Sequence, residues 1–149
     1  MEVFLDLEET LIIDWFNPSL KEENISIIKS FLISNKIKEV TLFSAAVWTK
    51  KEEKAFNEQF KDFLEEVLNV KIKVLLLEKA FDKVIKANGI AAENSSFFCD
   101  IFLFNQKEEF FKQWLLAEEK KGEFVLFDDT VDDSIFIKKD LKIILKNVK

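Results

Sequence analysis

Short unbroken apolar runs alternate along the chain with longer stretches whose apolar positions recur every three or four residues. Val3-Phe4-Leu5 lies between Glu2 and Asp6, which predicts a buried strand over 2–6. EVTLF (39–43) and KIKVLLLE (71–78) repeat that pattern, and EFVLFDD (123–129) closes it with two acids. Elsewhere the period is helical. Ile25, Ile28, Phe31 and Leu32 mark a helix to about Ser34, with Ser19 as its N-cap after an irregular stretch over 14–18. Thr49 caps a second helix to about Leu68, whose inner face is predicted to carry Phe56, Phe60, Phe63, Leu64 and Val67. A short helix over 79–88 stops at Gly89. The run FFCDIFLF within 96–104 reads as extended. Phe110, Phe111, Trp114 and Leu115 define the inner face of a helix over 107–120, halted by Gly122. A helical turn from about Asp133 and a last strand over 141–145 complete the pattern.

Strands that alternate with helices predict right-handed crossovers. The expected fold is α/β, a single Rossmannoid domain over 1–149 with a mostly parallel central sheet and helices on both faces. Composition sharpens this. Hydrophobic residues at 48% supply a sizeable core, while 2 Gly and 1 Pro exclude linker-rich and collagen-like chains. The absence of His excludes Ser-His-Asp and Cys-His catalysis and His-ligated metals. The single Cys99 excludes an internal disulfide and reads as a small buried hydrophobe, so a reducing, cytoplasmic setting is expected. All 22 basic residues are Lys against 28 acids, a net charge of −6, which argues against a nucleic-acid partner. The N-terminus turns acidic at once and no apolar run nears the ~20 residues of a membrane span, so neither a signal peptide nor a membrane partner is expected.

Ligands of an open α/β sheet bind beyond the carboxyl ends of its strands. The first predicted strand ends in Asp6, followed by Glu8, Glu9 and Thr10; the second ends in Ser44, followed by Ala45 and Ala46. Lys107 opens a helix just before the strand that ends in Asp128 and Asp129, with Asp132 and Asp133 beyond. Clustered carboxylates repel and raise one another's pKa unless a cation holds them, and Mg²⁺ is the usual occupant of an all-oxygen site.

Asp6-Leu7-Glu8-Glu9-Thr10 after an apolar strand resembles the first motif, DxDx(T/V), of the haloacid dehalogenase-like hydrolases. Ser44, Lys107 and Phe127-Asp128-Asp129-Thr130-Val131-Asp132-Asp133 resemble the second, third and fourth motifs, in the family's order. The resemblance spans about residues 2 to 135 and implies a Mg²⁺-dependent phosphatase acting through an aspartyl-phosphate. It makes Asp6 the nucleophile, Glu8 the acid and base, and Lys107 the cation beside the transferring phosphoryl group. Ser44 would bind that group, with Thr10, Ala45 and Trp48 as further substrate contacts. Asp6, the backbone carbonyl of Glu8, Asp128 or Asp129, and a supporting Asp133 would hold Mg²⁺. The family's phosphatases carry Asp where this chain has Glu8, one methylene longer. Neither interval between motifs leaves room for a large cap, so Trp15, Phe16 and Trp48 are expected near an open entrance. The expected partner is a phosphorylated small molecule or nucleotide, with homo-oligomerisation a further expectation. Two other readings stand beside the phosphatase: a catalytically weak binding or regulatory protein of the same kind, and a nucleic-acid end phosphatase, which the net charge opposes.

Overall fold

The computed structural model describes residues 1–96 and 106–149. The predicted extended run, apart from Ser96, and with it Cys99, lies outside them. Among the described residues six strands form one sheet: β1 (Glu2–Leu5), β2 (Glu39–Leu42), β3 (Lys71–Val74), β4 (Gly122–Asp128), β5 (Ser134–Lys138) and β6 (Leu141–Asn147). Their order is β3-β2-β1-β4-β6-β5, parallel throughout except for β5, which runs antiparallel to β6 at the edge. Among the described residues the longer helices are α1 (Glu22–Ser34), α2 (Lys50–Phe56), α3 (Asp62–Leu68), α4 (Leu77–Ala87) and α5 (Lys107–Ala117), and a π-turn at Asn57–Lys61 joins α2 to α3. No helix among the described residues is long and apolar enough to cross a membrane.

β1 is central, and Val3, Phe4 and Leu5 are all buried, as a strand covered on both faces must be. Side-chain alternation divides the core. Val3, Leu5, Val40, Leu42, Val125 and Phe127 pack with α1, α2 and α3. Phe4, Phe43, Phe124 and Leu126 pack with α4 and α5. The second layer is aromatic: Phe4 meets Phe111 edge-on at 5.0 Å and Trp114 at 5.7 Å between ring centroids. The predicted α/β architecture is therefore observed.

Several local expectations are corrected. Lys21, not Ser19, is the N-cap of α1, and Ser19 Oγ instead donates to Asn17 Oδ1. The third strand ends at Val74, and Leu77 already opens α4, so the run of three leucines crosses an element boundary. The helical turn expected from Asp133 is the edge strand β5. Phe63 is exposed at 45% rather than inward. The residues that do face inward, Phe56, Phe60, Leu64 and Leu68, stand four apart. In a regular α-helix that spacing drifts by about 40° per step. The wider π-turn absorbs part of the drift and turns Phe63 outward. The Thr49 cap holds as expected: its hydroxyl accepts from Lys51 N–H, while Glu52 returns to the Thr49 backbone in a capping box.

Candidate functional site

The carboxyl ends of β1 and β4 lie side by side, with Leu5 in register with Phe127. Asp6 N–H extends the ladder to Phe127 C=O at 3.0 Å. Asp6 and Asp128 follow these residues and share one edge of the sheet. α5 begins at the same edge and delivers Lys107 between them. Lys107 Nζ lies 3.0 Å from Asp6 Oδ1 and 2.5 Å from Asp128 Oδ2. It also stands over the Phe43 ring at 5.4 Å, at the end of β2. All three ionic side chains are buried: Lys107 9%, Asp6 7% and Asp128 0% exposed.

Asp128 is fixed from the other side. Its Oδ1 accepts from Thr130 Oγ1 at 2.6 Å and from Thr130 N–H at 2.7 Å, an Asx turn closed by a threonine. Asp128 Oδ2 faces the Lys107 ammonium. Thr10 Oγ1, wholly buried, stands 3.3 Å from Asp6 Oδ2 and 3.5 Å from Asp129 Oδ1, and its single proton serves one of them at a time. Oxygens of Asp6, Asp128 and Asp129 come within 4.8 Å of one another. Such a set of hard oxygen donors could hold a divalent cation.

The loop after β1 is held by its own backbone. Leu11 N–H and Ile12 N–H both donate to Leu7 C=O, and Glu9 takes a left-handed conformation with φ 62°. Asn24 on α1 clamps this loop, its amide donating to Thr10 C=O at 3.1 Å and to Glu9 C=O at 3.3 Å. Asn24 and Phe43 were not singled out from the sequence, and Thr130 was given no role within the acidic motif that contains it. A polar residue beside Ile25 and Ile28 on the inner face of a helix was the available signal for Asn24, and the Asp-Asp-Thr step was the signal for Thr130.

The other sequence-derived candidates are placed as follows. Ser44 is buried one residue beyond Phe43, and its Oγ accepts from Ala46 N–H at 3.2 Å; Ala45 is exposed. Glu8 Oε2 accepts from Trp15 N–H at 2.8 Å and so ties the loop after β1 to the segment over 14–18. Trp15 itself packs edge-on against Phe60 at 4.9 Å, whereas Phe16 is 97% exposed. Trp48 rests beside Phe81 at 6.0 Å. Asp133 Oδ1 accepts from Asn147 N–H and thereby secures the end of β6. The structure thus gathers Asp6, Thr10, Lys107, Asp128 and Asp129, and gives Glu8 and Asp133 hydrogen-bond partners in the segments beside that cluster. No family model, curated protein or solved structure matches the chain. Function must therefore be inferred from this geometry and its electrostatics.

Burial dominates those electrostatics. It pushes Asp6 up from its ordinary 3.8 to about 6, against the pull of the Lys107 ammonium and with the repulsion of Asp128 adding to the rise. Burial and then Asp128 raise Asp129. Burial alone would lower Lys107, but the charges and hydrogen bonds of Asp6 and Asp128 outweigh it and hold the ammonium above its usual range. Between pH 3.8 and about 6 the folded protein keeps an Asp6 proton that the unfolded chain has released, so this group's contribution to stability falls as pH rises through that window. Asp6→Asn removes the dependence. Relative to wild type, that variant is expected to gain up to about 3 kcal/mol between about pH 4 and about pH 7. Urea unfolding in EDTA measures this, and a difference independent of pH would contradict the assignment.

Proposed function

We propose that the chain is a Mg²⁺-dependent phosphomonoesterase of the haloacid dehalogenase-like kind, acting through an aspartyl-phosphate on Asp6. The observation that carries this reading is the buried Asp6 carboxylate at the end of the central strand, 3.0 Å from the Lys107 ammonium and beside Asp128, the last residue of β4, and Asp129 just beyond it. It is supported by the positions of the four motif-like segments, since Asp6, Ser44 and Asp128 end neighbouring parallel strands and Lys107 reaches the same edge from α5.

Asp6, Asp128 and Asp129 would hold the Mg²⁺ ion, which when bound supplies charge neutralisation between carboxylates and phosphate. The remaining chemistry belongs to the chain. A carboxylate oxygen of Asp6 attacks phosphorus, and the bond from phosphorus to the leaving oxygen breaks. Glu8 gives that oxygen its proton, then takes a proton from the water that attacks the aspartyl-phosphate, releasing inorganic phosphate and Asp6. Lys107 offsets the charge gathered between nucleophile and phosphoryl group, and Ser44 Oγ hydrogen-bonds a phosphoryl oxygen. Hydrolysis of an aryl phosphate that requires Mg²⁺, stops in EDTA and needs Asp6 is the test. A folded protein with no Mg²⁺-dependent turnover of aryl phosphates or of a panel of phosphorylated metabolites would overturn the reading.

A second reading, a phosphate-binding or regulatory protein with little turnover, draws on Glu8. Its carboxylate is engaged by Trp15 N–H at 2.8 Å. Glu8→Asp shortens the side chain by roughly 1.5 Å, a bond length. With Glu8 as a working acid and base, that shift is expected to lower kcat on the order of 10²-fold. An increase would favour the second reading.

A further inference from the structure

The two edges of the sheet differ in character. β3 presents Lys71 and Lys73 on its exposed positions, and Lys73 pairs with Glu39 at 3.0 Å. Edge lysines of this kind oppose pairing with another chain. β5 presents two isoleucines instead: Ile135 is 63% and Ile137 68% exposed. They flank Phe136, which turns to the other face, packs against the aromatic layer and lies under Lys112 Nζ at 5.1 Å. Among the described residues no strand pairs with the outer side of β5. Alternate residues of an antiparallel strand direct N–H and C=O groups away from their partner, so that side offers backbone donors and acceptors.

The segment over 133–139, Asp-Ser-Ile-Phe-Ile-Lys-Lys, complements itself when reversed about Phe136. We propose that β5 pairs antiparallel with β5 of a second copy of this chain, about a two-fold axis at Phe136, to join two sheets into one. Ile135 then lies opposite Ile137 of the other copy, and four isoleucines cover one another on the face where they are now exposed. The same register brings Asp133, just before β5, near Lys139 in the turn just after it, so opposite charges approach at both ends. An isologous contact of this kind uses one patch twice and closes at the dimer. Two five-residue strands make a small interface, so the dimer forms at high protein concentration and dissociates on dilution.

Sedimentation equilibrium over a concentration series tests this. Wild type is expected to approach twice the monomer mass at high concentration. Ile135→Lys/Ile137→Lys places like charges opposite one another and is expected to raise the dimer dissociation constant at least about tenfold. Lys138→Glu/Lys139→Glu, which removes two cations and sets an acid at position 139 near Asp133 of the other copy, is expected to do so as well. Ile27→Lys, on an exposed α1 position, is expected to leave it unchanged. Both double variants alter exposed positions, and unchanged unfolding midpoints show that they remain folded. A wild type that stays monomeric throughout overturns the proposal and leaves this edge to a strand of another protein. Double variants that associate like wild type also overturn it.

Discussion

If Asp6 forms the aspartyl-phosphate proposed above, the Asp6→Asn variant is expected to lose phosphomonoester hydrolysis by at least about 10³-fold, equivalent to about 4 kcal/mol of transition-state stabilisation. An amide has no anionic oxygen to attack phosphorus, so the covalent step has no route. The loss should appear in kcat rather than in folding, because Asn retains the shape of Asp6 and can still meet Lys107 and Thr10 Oγ1. The signs of the two effects on this one residue are opposite. Activity vanishes, while stability relative to wild type climbs between about pH 4 and about pH 7, because the variant has no carboxyl proton to lose there. A merely structural acid would not produce that combination. Hydrolysis by the variant within threefold of wild type would sink the aspartyl-phosphate mechanism.

Lys107→Met is expected to be the most destabilising single change at the site, by about 3–5 kcal/mol at neutral pH. Met fills much of the same volume, so little of that cost comes from packing. It arises because Asp6 and Asp128, both buried, would face each other without the ammonium that lies 3.0 Å from one and 2.5 Å from the other. The penalty is expected to shrink in acid, where Asp6 takes up a proton more readily still once the opposing Lys107 charge is absent. Denaturant unfolding at neutral and acid pH measures both parts. A loss below about 1 kcal/mol at neutral pH would mean that Lys107 is no buried counter-charge.

The central part of the fold was legible because its strands are buried on both sides. Val3-Phe4-Leu5 and Phe124-Val125-Leu126-Phe127 are continuous apolar runs, and their termini mark the edge where Asp6 and Asp128 meet. The order of acids and Lys107 along the chain could therefore be turned into a site. The edge strand was not legible in the same way. Asp132-Asp133-Ser134 imitates a helix cap, and the exposure of Ile135 and Ile137 removes the apolar-in, polar-out alternation of a half-buried strand. Leu75-Leu76-Leu77 carries no polar break at its boundary, so periodicity alone could not separate β3 from α4. Phe63 was misplaced because a π-turn leaves no local mark beyond the four-residue spacing around it. The anchoring of Glu8 to Trp15 N–H is a contact with backbone, to which the side-chain pattern is blind.

The pairing of β1 with β4 joins Val3 to Val125, so the central strand waits for a partner more than a hundred residues downstream. Such a topology makes folding slow compared with chains dominated by neighbouring contacts. During synthesis Asp6 emerges well ahead of its partners, and Lys107 and Asp128 reach it only after about a hundred further residues have been made. Until then the half-finished sheet exposes the side of β1 that β4 will occupy. A nascent chain stalled before β4 therefore displays an apolar strand edge and no assembled acidic cluster, and an exposed edge of that kind is prone to aggregation until β4 covers it.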